Sequence, residues 1–86
     1  MPADDPRLVL DESVMRFALA ATPKLRRGLV ARLEELQHSS NDPPDFRERD
    51  AAGRWLSIKA FRPFLITYWL DSPVNELRIV DVEALD

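Results

Sequence analysis

Apolar residues recur every three or four positions in two stretches of the first half of the chain, which predicts two helices. The first stripe consists of Val14, Phe17, Ala18 and Ala21. Asp11 or Ser13 is placed to cap this helix. The second helix is predicted to begin at Thr22-Pro23, because threonine caps well and proline suits the first helical position. Its stripe consists of Leu25, Leu29, Leu33 and Leu36.

From residue 54 onward the apolar period changes to two, which predicts strands. In residues 54–61, Leu56, Ile58 and Ala60 fall on one face, and Trp55, Ser57 and Lys59 on the other. Residues 64–70 are apolar on both faces, which predicts a central strand, and residues 76–82 form the last strand. Proline and turn residues separate these runs. Residues 38–53 are predicted to be a loop.

The predicted order is that of an α+β fold. It has a short N-terminal strand at residues 7–10, a helical hairpin, and a three-stranded antiparallel meander. The helices should cover one face of the sheet and leave the other open. Residues 1–6 hold two prolines and two aspartates, so we expect a disordered tail there, followed by a single domain over residues 7–86.

Composition narrows the classes of function. The 86 residues are 45% hydrophobic and 31% charged, which is typical of a globular protein. The absence of cysteine excludes disulfides and thiolate metal sites. The chain has no apolar run of membrane-spanning length and no basic, signal-like start. We therefore expect a cytoplasmic protein that needs no cofactor, metal or membrane.

Charge is unevenly distributed along the chain. The net charge is −3, but residues 13–70 carry ten bases against six acids, whereas residues 71–86 carry one base against five acids. The middle of the chain therefore permits a basic face, which is what attraction to nucleic acid requires. Scattered, solvated charge is the alternative interpretation.

Basic and aromatic residues concentrate on the predicted strands. The candidate catalytic residues are Arg54, Lys59, Arg62 and Tyr68, and the candidate binding residues are Arg78, Trp55 and Trp69. Such a mixture can hold a nucleic-acid backbone and stack bases, or stabilise developing charge in phosphoryl transfer without a metal. It is also typical of protein interfaces, including those of homodimers. The alternative is ordinary surface charge with aromatics packed across strands.

Four features resemble the RelE/ParE superfamily of bacterial toxins. They are a short strand before a helical hairpin that contains Thr-Pro-Lys-Leu-Arg-Arg at 22–27, a proline-containing loop, a strand beginning Arg54-Trp55-Leu56, and a final hairpin. In that hairpin, the tyrosine-centred run at 64–71 is followed by Glu-Leu-Arg-Ile-Val at 76–80. The resemblance covers nearly the whole chain.

This resemblance implies the toxin of a toxin–antitoxin module, as found in plasmid stabilisation, with a cognate antitoxin as partner. RelE-like members cleave mRNA on the ribosome without a metal, and ParE-like members poison DNA gyrase. The family often ends in a His-x-x-Arg-like stretch, whereas this chain ends in the acidic run at 81–86. We therefore expect a toxin that acts by binding. The alternatives are an endoribonuclease and a non-toxic interaction module of the same fold.

Overall fold

The structure, a computed structural model, describes residues 4–85. Within them, the helices are α1 (Glu12–Ala20) and α2 (Pro23–His38), and the strands are β1 (Arg7–Leu10), β2 (Phe46–Arg49), β3 (Trp55–Phe61), β4 (Phe64–Asp71) and β5 (Glu76–Ala84). The strands form one sheet in the order β1-β5-β4-β3-β2, in which β1 is parallel to β5 and every other pair is antiparallel. The predicted α+β class is confirmed.

The three predicted strands of the meander are confirmed as β3, β4 and β5, but the prediction that residues 38–53 form a loop is wrong at one place. Residues 46–49 of the predicted loop form strand β2 at the edge of the sheet, paired with β3 from Phe46 opposite Ile58 to Arg49 opposite Trp55. All four residues of β2 are exposed. Because neither face of β2 is buried, its sequence carries no apolar alternation.

The start of α2 follows the predicted capping chemistry. The hydroxyl of Thr22 accepts a hydrogen bond from the backbone amide of Leu25 at 3.2 Å, and Pro23 occupies the first turn. At the start of α1, Asp11 is the N-cap residue but its side chain makes no capping bond. Ser13 instead donates to the carbonyl of Val80 at 2.8 Å, which ties α1 to β5.

One arginine joins the two helices. The guanidinium of Arg26 donates to the carbonyls of Ala18 at 2.7 Å and Ala21 at 3.1 Å, at the end of α1. A cation at a helix C-terminus satisfies free carbonyls and suits the negative end of the helix dipole. The hairpin is therefore held by side-chain capping as well as by apolar packing.

The core lies between the helices and one face of the sheet. Leu29, Leu33 and Leu36 of α2 are buried against it, as the stripe predicted. The sheet contributes alternate residues of its two central strands, namely Phe64, Ile66, Tyr68, Leu77, Ile79 and Val82. We call this the helix face. The other face, which bears Leu65, Thr67 and Trp69, is turned away from the helices, and we call it the open face.

The predicted tail divides into two parts. Residues 1–3 lie outside the described residues. Residues 4–6 contact the body: the carbonyl of Pro6 accepts from the Gln37 side chain at 2.7 Å, and the carboxylate of Asp5 contacts the imidazole of His38. His38 therefore sits at the end of α2 in a surface contact with the N-terminal segment.

Candidate functional site

The register of β2, β3 and β4 brings basic and aromatic side chains together on the helix face of the sheet. Arg47 lies opposite Ser57, and Ser57 lies opposite Tyr68, so these residues form one row across the sheet. Arg49 and Trp55 form the next row. Paired residues share a face of the sheet, and so do residues two apart on one strand. We call the resulting surface the basic ledge; it consists of Arg47, Arg49, Trp55, Lys59 and Tyr68.

The basic ledge is accessible because the helices, although they cover the same face, pack mainly over the β1–β5 end of the sheet. Trp55 is 55% exposed, and the guanidinium of Arg49 lies 4.6 Å from the centroid of its ring. The ammonium of Lys59 lies 5.3 Å from the centroid of the Phe61 ring. Cations supported by aromatic faces are suited to binding an anionic or aromatic partner.

Tyr68 forms the inner border of the basic ledge. Its side chain is buried in the core, and this burial raises the pKa of the phenol above 10.0. The negative charges of Asp45 and Asp42 raise this pKa further, while Arg47 acts in the opposite direction. The phenol is therefore neutral at physiological pH. It is suited to donate a hydrogen bond to an anion and is poorly suited to act as a general base.

The open face carries a second cluster, which we call the arginine–tryptophan stack. The guanidinium carbons of Arg54 and Arg78 lie 4.1 Å and 5.8 Å from the centroid of the Trp69 ring. Trp69 pairs with Arg78 across β4 and β5, directly after Tyr68 in the chain. Because successive strand residues point to opposite faces, this stack is separated from the basic ledge by the sheet.

Arg78 also belongs to an ion network on the open face. The buried carboxylate of Glu76 accepts from Arg7 and from Arg78, the latter at 3.1 Å. The hydrogen bond from Arg7 is the main cause that lowers the pKa of Glu76; burial opposes it, and the charges of Arg7 and Arg78 reinforce it. The side-chain cation of Arg78 is thus engaged within the fold.

The predicted set of site residues is therefore divided among three places. Lys59, Tyr68 and Trp55 lie on the basic ledge, while Arg54, Trp69 and Arg78 lie on the open face. Arg62 lies in the turn between β3 and β4, where its carbonyl accepts from Arg32 Nε at 3.2 Å. The structure therefore brings together only part of this set: Arg54 and Arg78 share the open face beside Trp69, whereas alternation along β3 sends Lys59 to the opposite side.

Sequence reasoning missed Arg47 and Arg49. They lie in the segment predicted to be a loop, where nothing indicates that two arginines share a side. The run Phe46-Arg47-Glu48-Arg49 does alternate in charge. Interpreted as an edge strand, this alternation would have placed both arginines on one face.

No helix within residues 4–85 is long and apolar enough to cross a membrane. Over the same residues, histidine and acidic side chains do not come together in groups of three or more that could hold a metal ion.

The sequence matches no protein-family model and no curated protein. The fold, in contrast, matches a solved structure described as the archaeal RelE–RelB complex from Pyrococcus horikoshii OT3. The TM-score is 0.69, and the superposition covers 94% of this chain and 96% of the other, at 8% sequence identity. This chain has the RelE fold. The predicted resemblance to RelE is confirmed at the level of the fold, although almost no sequence likeness to that RelE remains.

Proposed function

We propose that this chain is the toxin of a toxin–antitoxin module and that a cognate antitoxin neutralises it by binding. The observation that carries the proposal is the likeness of 94% of the chain to RelE, a protein whose structure was solved in complex with RelB. Two exposed aromatic side chains, Trp55 on the helix face and Phe46 on the open face, give apolar surface to a partner that covers both faces of this edge of the sheet. The cytoplasm is the proposed site of action.

The toxin acts by binding its cellular target, and the basic ledge is the surface that binds. Arg47, Arg49 and Lys59 supply positive charge, and Trp55 supplies an exposed aromatic face. RNA cleavage without a metal needs a group to take a proton from the attacking hydroxyl. Tyr68, a neutral phenol, does not take up that proton. The positive charge of the basic ledge therefore carries the binding mode, and the expected target is a polyanionic or acidic partner.

A second candidate function is metal-independent cleavage of mRNA on the ribosome. It is favoured by the row in which Arg47, Ser57 and Tyr68 follow one another across three strands, with Lys59 beside it. Two cations flanking a neutral phenol could stabilise the charge that develops on a phosphate. In this mode the phenol would donate a hydrogen bond, and an RNA or ribosomal group would take the proton.

Controlled expression tests the proposal. Induction of the chain in a bacterial host should arrest growth, and coexpression of the protein encoded beside it should relieve the arrest. DNA damage during arrest supports the binding mode directed at gyrase, whereas ribosome-dependent cuts in mRNA support the nuclease. Normal growth at verified levels of folded protein would contradict both toxin functions and leave an interaction module of the same fold.

A further inference from the structure

Among residues 4–85, strand β2 pairs on one side only, with β3, so it is an edge of the sheet whose outward hydrogen-bonding groups can be assigned. The amide of Asp50 donates to the carbonyl of Arg54 at 2.9 Å, continuing the β2–β3 ladder. In an antiparallel ladder, alternate residues bond to the same neighbour. Glu48 and Phe46 therefore bond to β3, and Arg47 and Arg49 direct their amide and carbonyl groups away from the sheet.

The side chains along this edge present a definite pattern of charge. Arg47 and Arg49 lie on the helix face, and Phe46 and Glu48 lie on the open face. All four residues are exposed, and Phe46 is 62% exposed. A strand added beside β2 would place its own side chains directly opposite these, where opposite charges attract and like charges repel.

A second copy of this chain is a poor occupant of the edge. Outward-facing residues must pair with outward-facing residues in an antiparallel arrangement. Pairing β2 with itself would therefore set Arg47 opposite Arg47, Arg47 opposite Arg49, or Arg49 opposite Arg49 of a second copy. Each of these registers places cations directly against each other, which is destabilising. Charges on an edge strand discourage self-association in this way while still accepting a strand of opposite charge.

We propose that β2 accepts an extended acidic segment of another protein as a sixth strand. Two carboxylates of this segment lie opposite Arg47 and Arg49, and an apolar side chain lies opposite Phe46. The segment continues the sheet beside the basic ledge, so its carboxylates occupy the positive surface there. The inference that this acidic segment belongs to the antitoxin rests on the proposed function, whereas the strand addition itself does not.

A synthetic peptide of sequence Thr-Glu-Lys-Glu-Val-Thr is the probe, because it sets glutamates opposite the two arginines, lysine opposite Glu48 and valine opposite Phe46. Titrated into the ¹⁵N-labelled full chain, it should shift the amide resonances of Arg47 and Arg49 and slow their hydrogen exchange about tenfold. The amides of Phe46 and Glu48, already bonded to β3, should change less. Thr-Lys-Glu-Lys-Val-Thr is the matched control peptide and should bind at least about tenfold more weakly.

Two substitutions of one residue separate strand addition from simple charge attraction. R49P removes an outward amide that β3 does not use, so β2 should persist while peptide binding is lost. R49Q keeps that amide and removes the charge, so binding should weaken without loss of the protected Arg47 amide. Equal binding of both peptides, or shifts confined to the Trp55 indole, would overturn the inference. If the chain is toxic but gives either of these two results, the strand addition is wrong and the proposed toxin function stands. If the chain pairs with the peptide but is not toxic, the strand addition stands and only the proposed toxin function is contradicted.

Discussion

The guanidinium of Arg54 lies 4.1 Å from the centroid of the Trp69 ring, on the face of the sheet turned away from the helices. Lys59, five residues further along the chain and within β3, lies on the helix face near Tyr68. The two cations are close in sequence but separated by the thickness of the sheet. This arrangement makes them a matched pair for testing which face carries the function.

We expect K59A to reduce growth arrest strongly and R54A to leave it nearly unchanged. Each substitution removes one positive charge and one long side chain from β3 or its first flanking residue, but only Lys59 lies on the basic ledge. The measurement is colony formation after induction, compared at equal levels of the two variants. Circular dichroism and the melting temperature of each variant serve as the control for folding.

Growth arrest that depends on Arg54 and not on Lys59 would contradict the assignment of the function to the basic ledge. If R54A abolishes arrest and K59A does not, the arginine–tryptophan stack on the open face is the functional surface.

The substitution Y68F tests the phenol at the border of the basic ledge, because it removes the phenolic proton and keeps the buried ring. Loss of arrest in Y68F at normal stability would show that the hydrogen bond donated by the phenol is used.

How far the sequence predicts this molecule depends on which faces are buried. Leu29, Leu33 and Leu36 recur at helical spacing because one side of α2 is buried, and that burial makes α2 predictable. Strand β2 has no buried side and was missed. The arginines at 47 and 49, on which the proposed function depends most, lie in the element that apolar patterning cannot detect.

The two faces of β3 show a second limit on what the sequence predicts. Alternation predicts that Trp55, Ser57 and Lys59 share one side, and the register confirms this. It does not say which side the helices cover, nor that they stop short of β2 and β3. The position of the basic ledge therefore follows from how far the helices extend across the sheet, which is a tertiary property without a local signal.

Acidification should weaken the fold in part through Glu76. Its pKa is lowered in the folded state from the ordinary value of 4.5, chiefly by the hydrogen bond from Arg7. A carboxylate with a lowered pKa contributes stability above its unfolded pKa, and this contribution is lost as the pH falls through the folded pKa. Urea unfolding measured from pH 7 to pH 3 should show the loss beginning near pH 4.5.

The matched comparison is E76Q against E83Q. Both positions lie on β5, but Glu76 is buried and Glu83 is exposed. E76Q should lower the free energy of unfolding at pH 7 and flatten its dependence on pH, because glutamine keeps the shape and loses the titration. E83Q removes an exposed carboxylate of the same strand and is the control. Identical slopes for the two variants would show that the Arg7–Glu76 contact does not stabilise the fold.

The two glycines of the chain should respond oppositely to alanine. A Cβ added at Gly28 in α2 would lie 3.9 Å and 4.0 Å from two ring carbons of Phe64, which is ordinary contact. G28A should therefore stabilise the chain by about 0.5–1 kcal/mol, the difference in helix propensity. Gly53 has a φ of 83°, where a side chain is strained, so G53A should destabilise by about 1 kcal/mol despite open space around it. Urea unfolding of both variants measures the two signs, and destabilisation by G28A would mean that α2 packs closer to β4 than these contacts indicate.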